Sequence, residues 1–234
     1  PPVSLGRFGW KASTPSVRVQ SLGALRGDMG ITNPLFPEES IANTAMHESY
    51  LTRTGFVDTG VDESGQTEAS ASFADDVVFY AETLAVPARR NIDNEDVLNG
   101  ALLFQQVNCT GCHTPQFITQ TGAVFIGGRA APEAIKGQTI YPFTDMLLHD
   151  MGEDLADNRR DFMATGNEWK TRPLWGIGLT KTVNPAAGFL HDGRADNIEE
   201  AILWHGGEAQ SSKADFMALT KTERASLVAF VMSL

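Results

Sequence analysis

The side chains best suited to bond-forming or redox chemistry in this 234-residue chain are two cysteines and five histidines. The cysteines stand three positions apart, in Cys109-Thr110-Gly111-Cys112-His113. This is the C-x-x-C-H pattern of covalent haem attachment. The spacing has a mechanical reason. Thiols at i and i+3 on one turn face the same way, so each can add to one vinyl group of a porphyrin. The histidine that follows can then place a ring nitrogen on the iron. A disulfide across so short a loop would do little for a chain of this length. A redox dithiol usually opens a helix after a strand, whereas this pair ends an amphipathic helix. A structural zinc site needs more cysteines or suitably spaced histidines, and no second cysteine pair exists.

A haem iron held by His113 has a further axial position, which histidine or methionine can fill. Three segments offer candidates. His205 ends a short helix on its apolar side, and Gly206-Gly207 behind it allow the backbone to approach a flat ligand closely. His149 and Met151 lie together in Leu147-Leu148-His149-Asp150-Met151-Gly152, and His191 lies in Phe189-Leu190-His191-Asp192-Gly193-Arg194. Periodicity does not separate these three. Met46 and Met163 sit in polar surroundings, and Met217 and Met232 read as core residues. Glu208, Asp192 and Arg194 are candidates for haem propionates, for calcium, or for one another. Trp10, Trp169, Trp175 and Trp204 read as packing against core and haem edge. Trp175, in a Gly-rich loop, and Trp204, beside His205, are the better placed for electron relay.

These residues need elements to hold them. Asp93 is the expected N-cap of a helix that carries Leu98, Leu102, Phe104 and Val107 and runs into Cys109, with Glu95 and Asp96 complementing its dipole. Asp196 to His205 fits a helix with Ile198, Ala201, Ile202 and His205 on one side. Thr220-Lys221-Thr222-Glu223 matches a capping box, followed by the apolar face Leu227, Val228, Phe230, Val231 and Leu234. Glycines and prolines mark turns in the long connections between. A few short helices around long loops leave a thin core, which a large apolar prosthetic group would fill. Before residue 90 the chain is rich in Gly, Ser, Thr and Pro. One helix is expected there, Ala74 to Leu84, stopped by Pro87; Gly60 to Ser72 reads as an exposed polar loop. The expected organisation is therefore residues 1–90 as an irregular, partly helical segment and 91–234 as a mainly α, cytochrome c-like haem domain.

Composition narrows the partners. The net charge of −11 argues against nucleic acid, which needs clustered Lys and Arg. An acidic surface keeps a protein soluble and can steer a basic redox partner. No apolar run is long enough for a transmembrane helix. Pro1-Pro2-Val3-Ser4 lacks the basic start and apolar stretch of a signal peptide. Covalent haem nonetheless implies a periplasmic or otherwise extracytoplasmic setting.

Longer stretches carry a family likeness. CTGCHTP (109–115), YPFTDMLLHDMGEDLAD (141–157), EWKTRPLWGIG (168–178) and FLHDGRADNIEEAILWHGGEA (189–209) resemble, in order and spacing, the C-terminal haem domain of the bacterial di-haem oxidoreductases. That family is classed as peroxidase-like and sometimes labelled thiol oxidoreductase. Residues 6–32 resemble the end of the same family's first haem domain. The family is similar to the di-haem cytochrome c peroxidases and to a di-haem enzyme that matures a tryptophan-derived cofactor. The resemblance implies that His205 occupies the distal-ligand position, with Met151 as the alternative, and that His149 and His191 line the haem pocket. It also implies a second haem, whose attachment motif this chain lacks, so the chain is expected to be part of a longer or processed protein without the peroxide-reactive haem. The implied role is electron transfer within a peroxidase-like oxidoreductase, taking electrons from a redox protein or small donor. A simple electron carrier and a di-haem enzyme acting on a partner protein are the alternatives.

Overall fold

Ser16 starts the first helix by accepting a hydrogen bond from the Val19 N–H, and Gly30 ends it in the left-handed conformation, φ 68°. The structure is a computed structural model and describes residues 4–55 and 60–234. Pro1 to Val3, named above, lie outside it. In chain order the helices are α1 (Val17–Met29), α2 (Ala45–Thr54), α3 (Ala71–Thr83), α4 (Glu95–Gln106), α5 (Thr180–Val183), α6 (Ile198–Trp204), α7 (Gln210–Ala218) and α8 (Lys221–Ser233). Six short strands sit between α4 and α5: β1 (Phe117–Ile118), β2 (Phe125–Ile126), β3 (Arg129–Ala130), β4 (Thr139–Ile140), β5 (Leu148–Asp150) and β6 (Glu168–Lys170). They form three antiparallel pairs, β1–β4, β2–β3 and β5–β6. The chain is mainly α.

The chain divides into two compact units. One is formed from the described parts of residues 1–5 and 14–84 together with 120–138. Its core is Leu22 and Leu25 of α1 against Ala74 and Val78 of α3. α1 and α2 were not expected. α1 buries only Leu22 and Leu25, and α2 buries no residue, so neither leaves a strong apolar period in the sequence.

The other unit takes residues 6–13, 85–119 and 139–234. Its centre is the crossing of α4 and α8, where Val97, Leu103 and Phe104 meet Leu227, Phe230 and Val231. The helices touch at Gly100, where a Cβ would lie 2.0 Å from the Ser226 carbonyl oxygen. Phe104, Phe143 and Phe230 form a ring cluster with centroids 5.3–6.0 Å apart. The α8 capping box is present: Thr220 Oγ1 accepts from the Glu223 N–H, and a Glu223 carboxylate oxygen accepts from the Thr220 N–H. At its other end the Arg90 guanidinium donates to the Met232 and Leu234 carbonyls.

Three expectations need correction. The α4 N-cap is Asn94, whose side chain accepts from the Asp96 and Val97 N–H groups, not Asp93. The buried stripe of α4 is Val97, Gly100, Leu103 and Phe104, whereas Leu98 and Leu102 point outward and are 54% and 67% exposed. Phe104 and Val107 are buried as expected; the expected stripe fails at Leu98 and Leu102 because the close contact there is made by a glycine, which carries no hydrophobic signal. Met217 and Met232 are exposed rather than core.

Candidate haem-binding cavity

Asn108, in the left-handed conformation at φ 59°, breaks the chain out of α4 and starts a single 3₁₀ turn over Cys109–Gly111. The His113 N–H donates to the Cys109 carbonyl at 2.9 Å, so the C-x-x-C-H segment is one closed turn. An extended segment then braces it. The Thr144 N–H donates to the Thr114 carbonyl and the Asp145 N–H to the Cys112 carbonyl. Phe143, just before, has φ 54°, a conformation costing a bulky residue on the order of 1–2 kcal/mol. The kink puts the Phe143 ring in the core and turns its carbonyl toward the His113 ring.

His113 Nδ1–H donates to that carbonyl at 2.9 Å. With Nδ1 so engaged, Nε2 is the available ring nitrogen. Burial outweighs the carbonyl and brings the His113 pKa down to about 4, so the ring is neutral. A neutral imidazole with one nitrogen tied back and the other free is what a metal ligand requires. Burial pushes the Cys109 thiol up to about 12. Burial and then the charges of Asp145 and Glu208 raise Cys112. Both thiols are therefore protonated near neutrality. This opposes a redox dithiol, which depends on a depressed thiol pKa.

Cys109, Cys112 and His113 open onto a cavity of about 220 Å³ with predominantly apolar walls. His205 lines the same cavity. It follows the last residue of α6, and its Nδ1–H donates to the Ala201 carbonyl at 2.7 Å, again leaving Nε2 free. Burial is the main cause lowering its pKa, with the Lys213 charge adding to it. Both imidazoles line this one cavity. Met151 also lines the cavity, on the loop after β5. A Cβ on Gly206 would lie 3.0 Å from the Met151 carbonyl oxygen, and one on Gly207 2.2 Å from the Asp150 carbonyl oxygen. The glycines beside His205 thus admit the 150–152 backbone, which carries Met151 up beside His205.

His149 and His191 face the cavity in other roles. His149 Nδ1 meets Glu208 Oε2 and Nε2 meets Asp145 Oδ2, both at 2.8 Å, so neither ring nitrogen is spare. Burial alone would lower its pKa, but the two carboxylates outweigh burial and raise it. His149 therefore ties the segment bracing the attachment turn to the residues after His205. His191 stacks on Trp169, with ring centroids 5.2 Å apart and planes at 22°, and Trp10 lies on it at 6.0 Å. Lys11, buried, holds this corner by donating to Asp157 and to the Thr165 and Gly166 carbonyls, with its ammonium 4.1 Å over the Trp169 ring. Trp175 does not line this cavity; it lines a separate recess with Pro87, Tyr141 and Leu234. Arg194 pairs with Asp192 at 2.6 Å and packs over the Trp204 ring, and Glu208 is engaged by His149. Among the described residues, Cys112, Asp145 and His149 bring their donor atoms within 4.8 Å of one another. With one carboxylate, that group lacks the oxygen-rich set calcium requires.

Sequence reasoning missed the Phe143 carbonyl, Asp145, Lys170, Arg172 and Lys213. The first acts through its backbone, Asp145 acts through His149 and its bond to the attachment turn, and the three cations reach the cavity from segments far along the chain, so no local spacing marks them.

Apolar walls, two neutral thiols on one turn and two imidazoles with free Nε2 atoms fit a covalently held haem. No described helix is long and apolar enough to cross a membrane. The profile of the family described as "Di-haem oxidoreductase, putative peroxidase" matches residues 1–234. No curated protein and no solved structure matches the chain.

Proposed function

The chain belongs to the di-haem oxidoreductase family, and from that premise we propose that it carries one haem c and serves as the electron-transfer haem domain of a peroxidase-like enzyme outside the cytoplasm. Cys109 and Cys112 would hold the porphyrin through thioether bonds, formed as each thiol adds across a vinyl group, and His113 and His205 would ligate its iron. Bound there, a haem provides reversible one-electron exchange at its iron. The observation that carries this reading is the pair of half-buried neutral imidazoles, each with Nδ1 bonded to a backbone carbonyl and Nε2 free, in one apolar cavity beside two protonated thiols.

The chain's own residues orient and seal the site. Phe143 and Ala201 fix the tautomer and aim of the two imidazoles. Asp145, His149 and Glu208 hold the attachment turn and the His205 segment at a set separation. Phe104, Leu174, Phe189, Leu227 and Val231 line the walls and exclude water. With both imidazoles held to the iron there would be no open position for substrate, so the role here would be to accept electrons from a redox protein or small donor and pass them on. Met151 remains the alternative distal ligand because it lines the same cavity.

The test is expression of the chain in a host that ligates haem in its periplasm. The expected mass is that of the polypeptide plus one haem, retained in acidified organic solvent. His205→Ala should turn a low-spin ferric spectrum high-spin, while Met151→Ala leaves it low-spin. The reverse pattern would assign the distal position to Met151, and pigment extracted by solvent would remove the covalent claim.

A further inference from the structure

The charged residues around the cavity do not balance. Of its carboxylates, Asp192 is paired with Arg194 and Glu208 with His149. Lys170, Arg172 and Lys213 line the same cavity, and among the described residues none of them makes an ion pair. A chain of net charge −11 has carboxylates in excess, yet it leaves these cations without an ion-pair partner beside predominantly apolar walls. Arg172 is exposed, whereas Lys170 and Lys213 are half-buried, and half-buried charge without a partner is costly unless a ligand supplies the opposite charge.

Lys170 and Arg172 are the rigid part of this group. The Lys170 N–H donates to the Trp10 carbonyl at 2.9 Å, and its carbonyl accepts from His191 Nε2–H at 3.0 Å. Between them, the Thr171 N–H donates to the Leu147 carbonyl and its carbonyl accepts from Thr144 Oγ1. The backbone that carries the two cations is thus fixed on both sides before any ligand arrives. Burial, and then the Arg172 charge, pull the Lys170 ammonium below its ordinary value and outweigh the opposing Asp145 charge. Beside them, His191 Nδ1 is buried without a hydrogen-bond partner. Burial lowers its pKa, and both Arg172 and Lys170 add to that. Two unmatched cations and one unmatched imidazole nitrogen therefore sit at one place on the cavity wall.

We propose that Lys170 and Arg172 are the anchor for a haem propionate, with His191 as the third polar contact. This rests on reading the cavity as a haem site. A carboxylate on an otherwise apolar tetrapyrrole is the ligand group that answers all three features at once. An anionic oxygen beside His191 Nδ1 draws a proton onto that nitrogen and converts an unpaired acceptor into a donor. Arg194, the arginine the sequence suggested for this task, is engaged by Asp192 and the Asp154 carbonyl.

The test uses the haem-loaded full chain as wild type, Lys170→Met, Arg172→Gln, the double variant, Lys170→Arg, and Lys221→Met as a control on an exposed lysine of α8. Removing the cations leaves the propionate charge unneutralised and favours ferric iron. At the wild-type midpoint potential, the ratio of oxidised to reduced protein should rise about tenfold in the double variant. Each single variant should give part of that rise. The resonance Raman bands of propionate bending should shift with it. Lys170→Arg should restore both readouts and Lys221→Met should change neither. If the haem is attached but the double variant keeps the wild-type potential and bands, the anchor assignment is overturned. If the wild-type mass shows no attached haem, the haem-site reading falls, and this assignment with it. Should the double variant not assemble, the two single variants carry the same comparison.

Discussion

Replacing Gly100 with alanine sets local preference against packing. In the middle of a helix, alanine is favoured over glycine by about 1 kcal/mol. At this position, however, the new Cβ would lie 2.0 Å from the Ser226 carbonyl oxygen and 2.7 Å from the Phe230 Cβ. Neither obstacle can rotate away, because both belong to the body of α8. Relief requires α4 and α8 to separate by more than 1 Å at their crossing, where ordinary contact begins near 3.4 Å. Overpacking of this kind costs about 1–3 kcal/mol. The separation also weakens the Phe104–Phe230 ring contact at 5.3 Å, worth roughly another 1 kcal/mol. The net expectation is a loss of about 2 kcal/mol in the unit centred on α4 and α8, the collision outweighing the helix preference. Guanidinium unfolding of the haem-loaded protein, followed at the main haem absorption band, should show a lower midpoint with an unchanged slope. Gly27→Ala in α1 is the counterpart, since nothing lies within 4 Å of its added Cβ. It should stabilise the other unit by about 0.5–1 kcal/mol in a far-ultraviolet melting curve. A Gly100→Ala midpoint at or above wild type would refute the close crossing.

Other expectations follow from the same geometry. Cys109→Ala with Cys112→Ala should yield a colourless, poorly folded chain, checked by absorption and circular dichroism, because the proposed haem then has no thiol to hold it. Lys11→Met removes the cation shared by Asp157 and two carbonyls and should cost about 2–3 kcal/mol by thermal unfolding, less than a fully buried pair because Asp157 is partly exposed. The raised pKa of His149 adds stability that is fully present below its ordinary value of 6.5 and is lost as pH rises through the higher folded value. His149→Gln should remove that part of the alkaline decline in unfolding midpoint, and an identical pH profile in the variant would discount the brace. The isolated chain should turn over peroxide far more slowly than a two-haem enzyme, as follows from the proposed ligation by His113 and His205; rapid turnover in a peroxide assay would make this the catalytic haem.

The parts of the molecule readable from sequence are those whose chemistry is local. The attachment turn is five consecutive residues. The α8 capping box is four, and it forms because Thr220 and Glu223 satisfy each other's backbone donors. His205 could be nominated because it continues the apolar side of α6, and its position there lets Nδ1 bond back to Ala201. Asn94 displaced Asp93 as a cap through a contest between neighbouring residues that each suit the role, and sequence preference ranks them almost equally.

What the tertiary structure decided are relations between segments far apart in the chain. Gly206 and Gly207 promised room for a ligand, but their space is taken by the backbone of 150–152, which brings Met151 next to His205. Arg194 seemed available to an anion until the fold set it against Asp192 and left Lys170 and Arg172 unpaired instead. His149 had the look of a ligand, and two carboxylates 4 and 59 residues away occupy both its nitrogens. The reason is physical: a motif records covalent neighbours, whereas the protonation, pairing and exposure of a side chain depend on which distant groups packing delivers to it.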